Sequence, residues 1–147
     1  MLPPLPDRAI HIDAEVADWR GAVRASGHAL ERSGATTAAY TERMVGVIDT
    51  FGAYVVVAPG LALAHARPGR DVKRDGLSVV TLAEPVSFGH PHNDPVSVVV
   101  GLAVTTADEH VGLVAELANI FNDASVIPAL AGAESPSAIR EILGATA

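Results

Sequence analysis

The sequence has no cysteine among its 147 residues. That absence removes disulfides, thiolate nucleophiles and cysteine-ligated zinc together, and it fits a reducing compartment. Basic residues are scarce too: 10 Lys and Arg stand against 17 Asp and Glu, for a formal charge of −7, and no basic run occurs. Nucleic acid and anionic membrane surfaces are therefore poor partners. Long hydrophobic runs are missing as well. The longest lies around Val96–Val104, roughly half of the ~20 residues that a spanning helix needs. The opening MLPPLPDRAIHI is interrupted by three prolines and has no basic-then-apolar leader. A cytoplasmic location without direct membrane insertion is expected. Finally, no GxxxxGK[ST], GxGxxG or GxSxG motif is present, so ATP hydrolysis, dinucleotide binding and serine hydrolysis lose their usual supports.

What remains is apolar and ordinary. Apolar residues make up 49% of the chain and charged ones 18%, enough for a real core and against intrinsic disorder. Gly and Pro form no periodic tract, and the length suits a single domain spanning residues 1–147.

The pattern along the chain reads α-α-β-β-β-α-α-α. Asp13 is expected to cap a first helix carrying Val16, Trp19, Val23 and Leu30 and stopping at Gly34. A second runs from about Thr37 to Phe51, with Tyr40, Met44, Val47, Ile48 and Phe51 on one stripe and Gly52 after it. Three β-branched runs, Tyr54–Ala58, Leu77–Ala83 and Val96–Val104, read as strands buried on both faces. Val86 and Phe88 are candidates for a short edge strand. Helices return after Asp108, with Val111, Val114, Ala115, Ala118 and Phe121 spaced for one face. Asp123–Ala131 reads as a short helix, and Ser135-Pro136 opens the last one, anchored by Ile139, Ile142 and Leu143. The fold class expected is α/β, a single-domain layered sandwich with helices covering both faces of a mixed sheet.

Six histidines are the candidates for chemistry near neutral pH. His11 and His28 read as exposed tail and helix residues. His65 sits in PGLALAHARP directly after a strand, where desolvation would hold it neutral with a ring lone pair free for attack. Arg67, two residues on, could clamp an anionic group. The competing reading is a core histidine bonded to a backbone carbonyl, with Arg67 on the surface. Spacing alone leaves both open. His110 follows Asp108-Glu109 at a helix start, where N–H groups and positive potential suit a bound phosphate; the alternative is a solvated first-turn residue. If strands 54–58 and 96–104 are parallel neighbours, His65 and His110 both lie past their carboxyl ends, where open α/β sheets bind ligands. His90-Pro91-His92-Asn93-Asp94 resembles a metal site only superficially. It is read as a turn in which Asn93 and Asp94 bond their own backbone, and no metal is assigned.

Four segments in order, GAYVVVAPGLALAHARP at 52–68, LSVVTLAEPVSFG at 77–89, NDPVSVVVGLAV at 93–104 and EHVGLVAELANIFND at 109–123, resemble one family. It is the enzyme IIA components of the bacterial phosphoenolpyruvate-dependent sugar phosphotransferase system, fructose–mannitol type. AHARP, PVSFG and NDPV are most similar to its ascorbate-type branch. Several members have proline before the active histidine, where this chain has Ala64. The resemblance implies that His65 accepts a phosphoryl group from HPr and passes it to a cysteine of enzyme IIB, with His110 supporting the phosphate. It implies no cofactor, and indirect membrane association through a IIC permease; a homodimer stays open. Mannitol-type members carry an active-site arginine on the second helix. Met44–Thr50 has none here, so that role is either absent or falls to Arg67. Leu61, Leu63 and Ala64 are expected to form an apolar rim that excludes water and docks two partners in turn. A regulatory phosphohistidine module, controlling a transcription factor or enzyme without transport, is the alternative.

Overall fold

Side chains along the apolar middle of the chain alternate between two cores, one on each face of a sheet. In the computed structural model, which describes residues 2–147, five strands form one sheet in the order β1-β4-β5-β3-β2. They are β1 (Ile10–Ala14), β2 (Val56–Ala58), β3 (Leu61–Ala64), β4 (Gly76–Val86) and β5 (Val96–Ala103). The sheet is mixed: β1 is parallel to β4 and β3 to β5, while β4–β5 and β2–β3 are antiparallel. The helices are α1 (Trp19–Arg32), α2 (Ala38–Phe51), α3 (Ala107–Phe121), α4 (Val126–Ala131) and α5 (Pro136–Leu143). Ala62 and Ala64 of β3 join a core with Leu30 of α1 and Tyr40 and Met44 of α2. Leu61 and Leu63 join a second with Leu117, Leu130 and Ile139 of the C-terminal helices. The expected layered α/β sandwich is the fold observed. Period-2 alternation within β3 is what divides one strand between two cores.

Small residues let α1 lie close to the sheet. The Ser78 hydroxyl donates to the Ser26 carbonyl at 2.9 Å, and a Cβ on Gly101 would stand 2.3 Å from the Ser78 oxygen. At the far end of α1, Trp19 packs on Phe88 with ring centroids 6.1 Å apart, and the Arg20 guanidinium covers the indole at 4.4 Å.

Several boundaries differ from the sequence reading. Asp18, not Asp13, caps α1, accepting from the Gly21 N–H at 2.9 Å. Asp13 belongs to β1, with φ of 55° and its N–H donated to Thr81 Oγ1 at 2.9 Å. The run Tyr54–Ala58 is not a doubly buried strand. Tyr54 and Val55 lie in a 3-10 turn, and β2 is an edge strand with Val57 53% exposed. The inner strand is β3, whose alanines have weak strand propensity and are held by burial between β5 and β2. β4 runs unbroken to Val86, which pairs with Val96, so there is no separate edge strand there. α3 buries Leu113 and Leu117 rather than the Val111 face; Val111 is 67% exposed.

The HPHND segment is a turn built on Asp94. Its carboxylate accepts from the Ser87 hydroxyl and from the N–H groups of Phe88, Gly89 and His90. Desolvation pushes the Asp94 pKa up, but those four donors outweigh it and hold it below the usual carboxylate range. His90 Nδ1 accepts from the His92 and Asn93 N–H groups. The Asn93 side chain departs from expectation: it donates to the Val56 carbonyl at 3.3 Å, not to its own turn.

Candidate active site

At the opposite end of the sheet, β3 and β5 stop side by side. Their parallel register runs from Leu61↔Val98 to Ala64↔Gly101, so whatever follows each strand is delivered to one edge. His65 is the first residue after β3. β5 leads to Thr106, which caps α3 by accepting the Glu109 N–H at 3.1 Å, and His110 follows in the first turn. The two imidazoles lie 4.9 Å apart between ring centroids, tilted by 41°. The parallel neighbour of β5 is β3 and not the 54–58 run, yet the geometric expectation holds: both histidines lie past the carboxyl ends of parallel strands. A cleft of about 1090 Å³ opens over them, walled by Arg43 and Val47 of α2 and by Arg67.

One bond orients the His65 ring. Its Nδ1 lies 2.9 Å from the Leu63 carbonyl oxygen. A carbonyl can only accept, so the proton sits on Nδ1 and Nε2 keeps its lone pair. The bond to a backbone carbonyl expected of a core histidine is present, and it leaves the Nε2 lone pair uncommitted. Burial lowers the His65 pKa, the Leu63 bond raises it by less, and the His110 charge lowers it further.

The sign of that shift has a consequence for pH. The unfolded chain takes up a proton at this position first as pH falls below about 6.5. This histidine therefore withdraws stability only below that point, and contributes nothing above it. A ring-proton NMR titration should give His65 a midpoint below the ordinary histidine value of about 6.5. A midpoint at or above that value would refute the buried, neutral assignment.

Around the cleft, apolar side chains are left in solvent. Phe51 at the end of α2 is 71% exposed and Tyr54 49%; Tyr54 also stands edge-on to His65, with centroids 6.4 Å apart. With Val47 they form the apolar side of the cleft wall. Large exposed apolar side chains gathered in one place mark a contact surface.

A family model described as phosphoenolpyruvate-dependent sugar phosphotransferase system, EIIA 2, matches residues 4–145. The chain belongs to this EIIA family. EIIA components are phosphotransferases that carry a phosphoryl group. The ascorbate-specific EIIA component of Escherichia coli (strain K12) is 31% identical over 95% of this chain and 92% of its own length. Among solved structures, IIA mannitol from Escherichia coli superposes with a TM-score of 0.82 at 25% identity, covering 94% of this chain and 97% of that one. A PTS IIA protein, PtxA, from Streptococcus mutans gives a TM-score of 0.85 at 29% identity over 94% and 88%.

Within this EIIA fold the structure gathers His65, His110 and Arg67 at one cleft, whereas His11 on β1 and His28 on α1 are exposed elsewhere. The rim expected from Leu61, Leu63 and Ala64 is not one. All three are buried in β3, at 0%, 6% and 0% exposure, because that strand lies inside the sheet, and Val47, Phe51 and Tyr54 take the rim position. The sequence reading also missed Arg43, one residue before the stretch searched for an arginine. Its guanidinium forms a two-pronged pair with Asp71, both contacts at 2.7 Å, and Nη2 donates to the Arg67 carbonyl at 2.7 Å. The bond to Asp71 raises the Arg43 pKa and holds the Asp71 carboxyl down. Only its placement three residues after Tyr40, on the same helical face, pointed toward the cleft.

Among the described residues no three His, Cys, Asp or Glu side chains are grouped to hold a metal ion, and no helix is long and apolar enough to cross a membrane.

Proposed function

We propose that this EIIA chain is a cytoplasmic phosphoryl carrier that takes a phosphoryl group from phosphohistidine on HPr and delivers it to a cysteine of enzyme IIB, coupled to uptake of ascorbate or a related sugar acid through a IIC permease. The observation that carries the reading is the fixed His65 ring, with its Nδ1 proton committed to Leu63 and Nε2 left as the nucleophile. The Nε2 lone pair attacks phosphorus, the donor P–N bond breaks, and its electron pair returns to the donor ring. His65 then carries phosphorus on Nε2 and its proton on Nδ1, with the ring's positive charge facing the Leu63 carbonyl. Discharge reverses the polarity: the IIB thiolate attacks phosphorus and the Nε2–P pair returns to His65 as neutral imidazole. Phosphoryl transfer of this kind needs in-line placement and charge stabilisation more than covalent help. We assign that charge stabilisation to His110 and the exposed Arg67, which line the same cleft as His65. Donor and product phosphohistidines are similar in energy, so the first step needs neither metal nor nucleotide. The border of Val47, Phe51 and Tyr54 suits two successive, weak partners. The sugar is taken from the ascorbate-specific relative.

The reading is tested by supplying phosphoenolpyruvate labelled at phosphorus, enzyme I and HPr, then adding an ascorbate-type IIB and IIC. One acid-labile, base-stable phosphoryl group per chain, discharged by IIB and leading to ascorbate phosphorylation, is expected. Labelling that no IIB discharges would favour the regulatory alternative. No labelling would overturn the carrier reading.

A further inference from the structure

The fully buried Tyr40 of α2 touches the chain on both sides of the cleft floor. Its hydroxyl donates to the Leu102 carbonyl of β5 at 2.6 Å and accepts the Ala66 N–H at 3.0 Å. Ala66 directly follows His65, and Leu102 lies just past the last β3–β5 register pair, on the segment that leads to His110. One hydroxyl therefore ties the loop after β3 to β5 just beyond the last β3–β5 pair, at a residue that β4 holds from the other side through Leu77. Burial pushes the Tyr40 pKa up to about 12, so the donor proton is present throughout the neutral range. Above the ring, the Arg43 guanidinium sits 5.2 Å from the Tyr40 centroid while it holds the Arg67 carbonyl, so α2 grips two consecutive residues after His65.

From this bridge we infer that Tyr40 is a positioning residue for phosphoryl transfer: its hydroxyl sets the spacing and ring orientation of His65 relative to His110 without touching the phosphoryl group. This rests on the carrier reading above for its kinetic consequence, but not for its structural one. Tyr40→Phe keeps the ring and removes only the bridge. A displacement of about 1 Å at reacting atoms can cost up to ~100-fold in rate, so acceptance from phosphorylated HPr should fall by about 10- to 100-fold in single-turnover measurements. The apparent affinity for HPr should stay within about threefold, because the exposed border is untouched.

The decisive readout is the His65 tautomer, followed by nitrogen-15 NMR at a temperature where wild type and variant are both folded. Wild type should show a single Nδ1–H form; Tyr40→Phe should show a mixture. Leu143→Ala, buried in the other core, is the control for lost stability and should change neither tautomer nor rate. If Tyr40→Phe does not fold, 3,5-difluorotyrosine at position 40 keeps ring and hydroxyl but weakens the oxygen as acceptor from Ala66, and it should give intermediate values of both. Unchanged tautomer in the folded variant, or a rate loss matched by Leu143→Ala, overturns the inference. A wild-type chain that takes no label fails the carrier reading instead, and leaves the tautomer test standing.

Discussion

His65→Ala is expected to abolish phosphoryl acceptance while leaving the fold intact. The proposed nucleophile is one ring nitrogen, Nε2, whose availability depends on the Nδ1–Leu63 bond of 2.9 Å. Removing the ring removes both and puts nothing in their place. The structural cost is small: a half-buried side chain at a strand exit is lost, together with one hydrogen bond to a carbonyl, worth about 1 kcal/mol. Circular dichroism and the unfolding midpoint should stay close to wild type while the label disappears. His65→Gln sharpens the result. It fills similar space and can still donate to Leu63, yet offers no nucleophile, and it too should take no label. His110, whose ring centroid is 4.9 Å away, provides the internal check. If His65→Ala still labels stoichiometrically, the attacking nitrogen belongs to His110 and the two roles must be exchanged.

His110→Ala should be slow but not dead. Its imidazole rises from the first turn of α3 beside His65, and the role proposed for it is to donate to phosphoryl oxygens whose charge is shared by donor, transition state and product. Losing one preorganised donor of that kind typically costs around 10²–10³ in rate, on the order of 3–4 kcal/mol. Acceptance from HPr should slow, and onward transfer to the IIB cysteine should suffer most, because there the phosphoryl group must leave the ring. His110→Gln should recover part of the loss through its amide N–H. Single-turnover transfer in both directions on the three proteins distinguishes the outcomes. Rates unchanged in both directions would make His110 an ordinary residue of a capped first turn.

The two histidines were legible because each stands where an apolar run ends, and such ends are where α/β sheets expose chemistry. Caps were partly legible for the same local reason: Gly52 and the Ser135-Pro136 pair act through their immediate neighbours. What stayed hidden depends on distance along the chain. Arg43 gains its place from Asp71, 28 residues on, and no local pattern links them. β3 is four residues of leucine and alanine, too short for a period and too poor in β-branched residues to announce itself. β1 reads IHIDA, with a charge and a left-handed Asp13 inside it. It is a strand because β4 offers it a free edge. The rim was misplaced because no strand was expected over 61–64, so Leu61, Leu63 and Ala64 were set facing water.

The indole beside Phe88 gives the molecule an uneven optical character. Trp19 is the only tryptophan, and it sits at the Phe88 end of a sheet whose eight-residue β5 extends about 25 Å to the histidines. Its emission colour is governed by the seam between α1 and the Asp94 turn. Melting that seam is expected to redden the tryptophan signal. Tryptophan emission, excited apart from Tyr54 beside His65, is therefore expected to follow the loosening of α1 rather than events at the histidines.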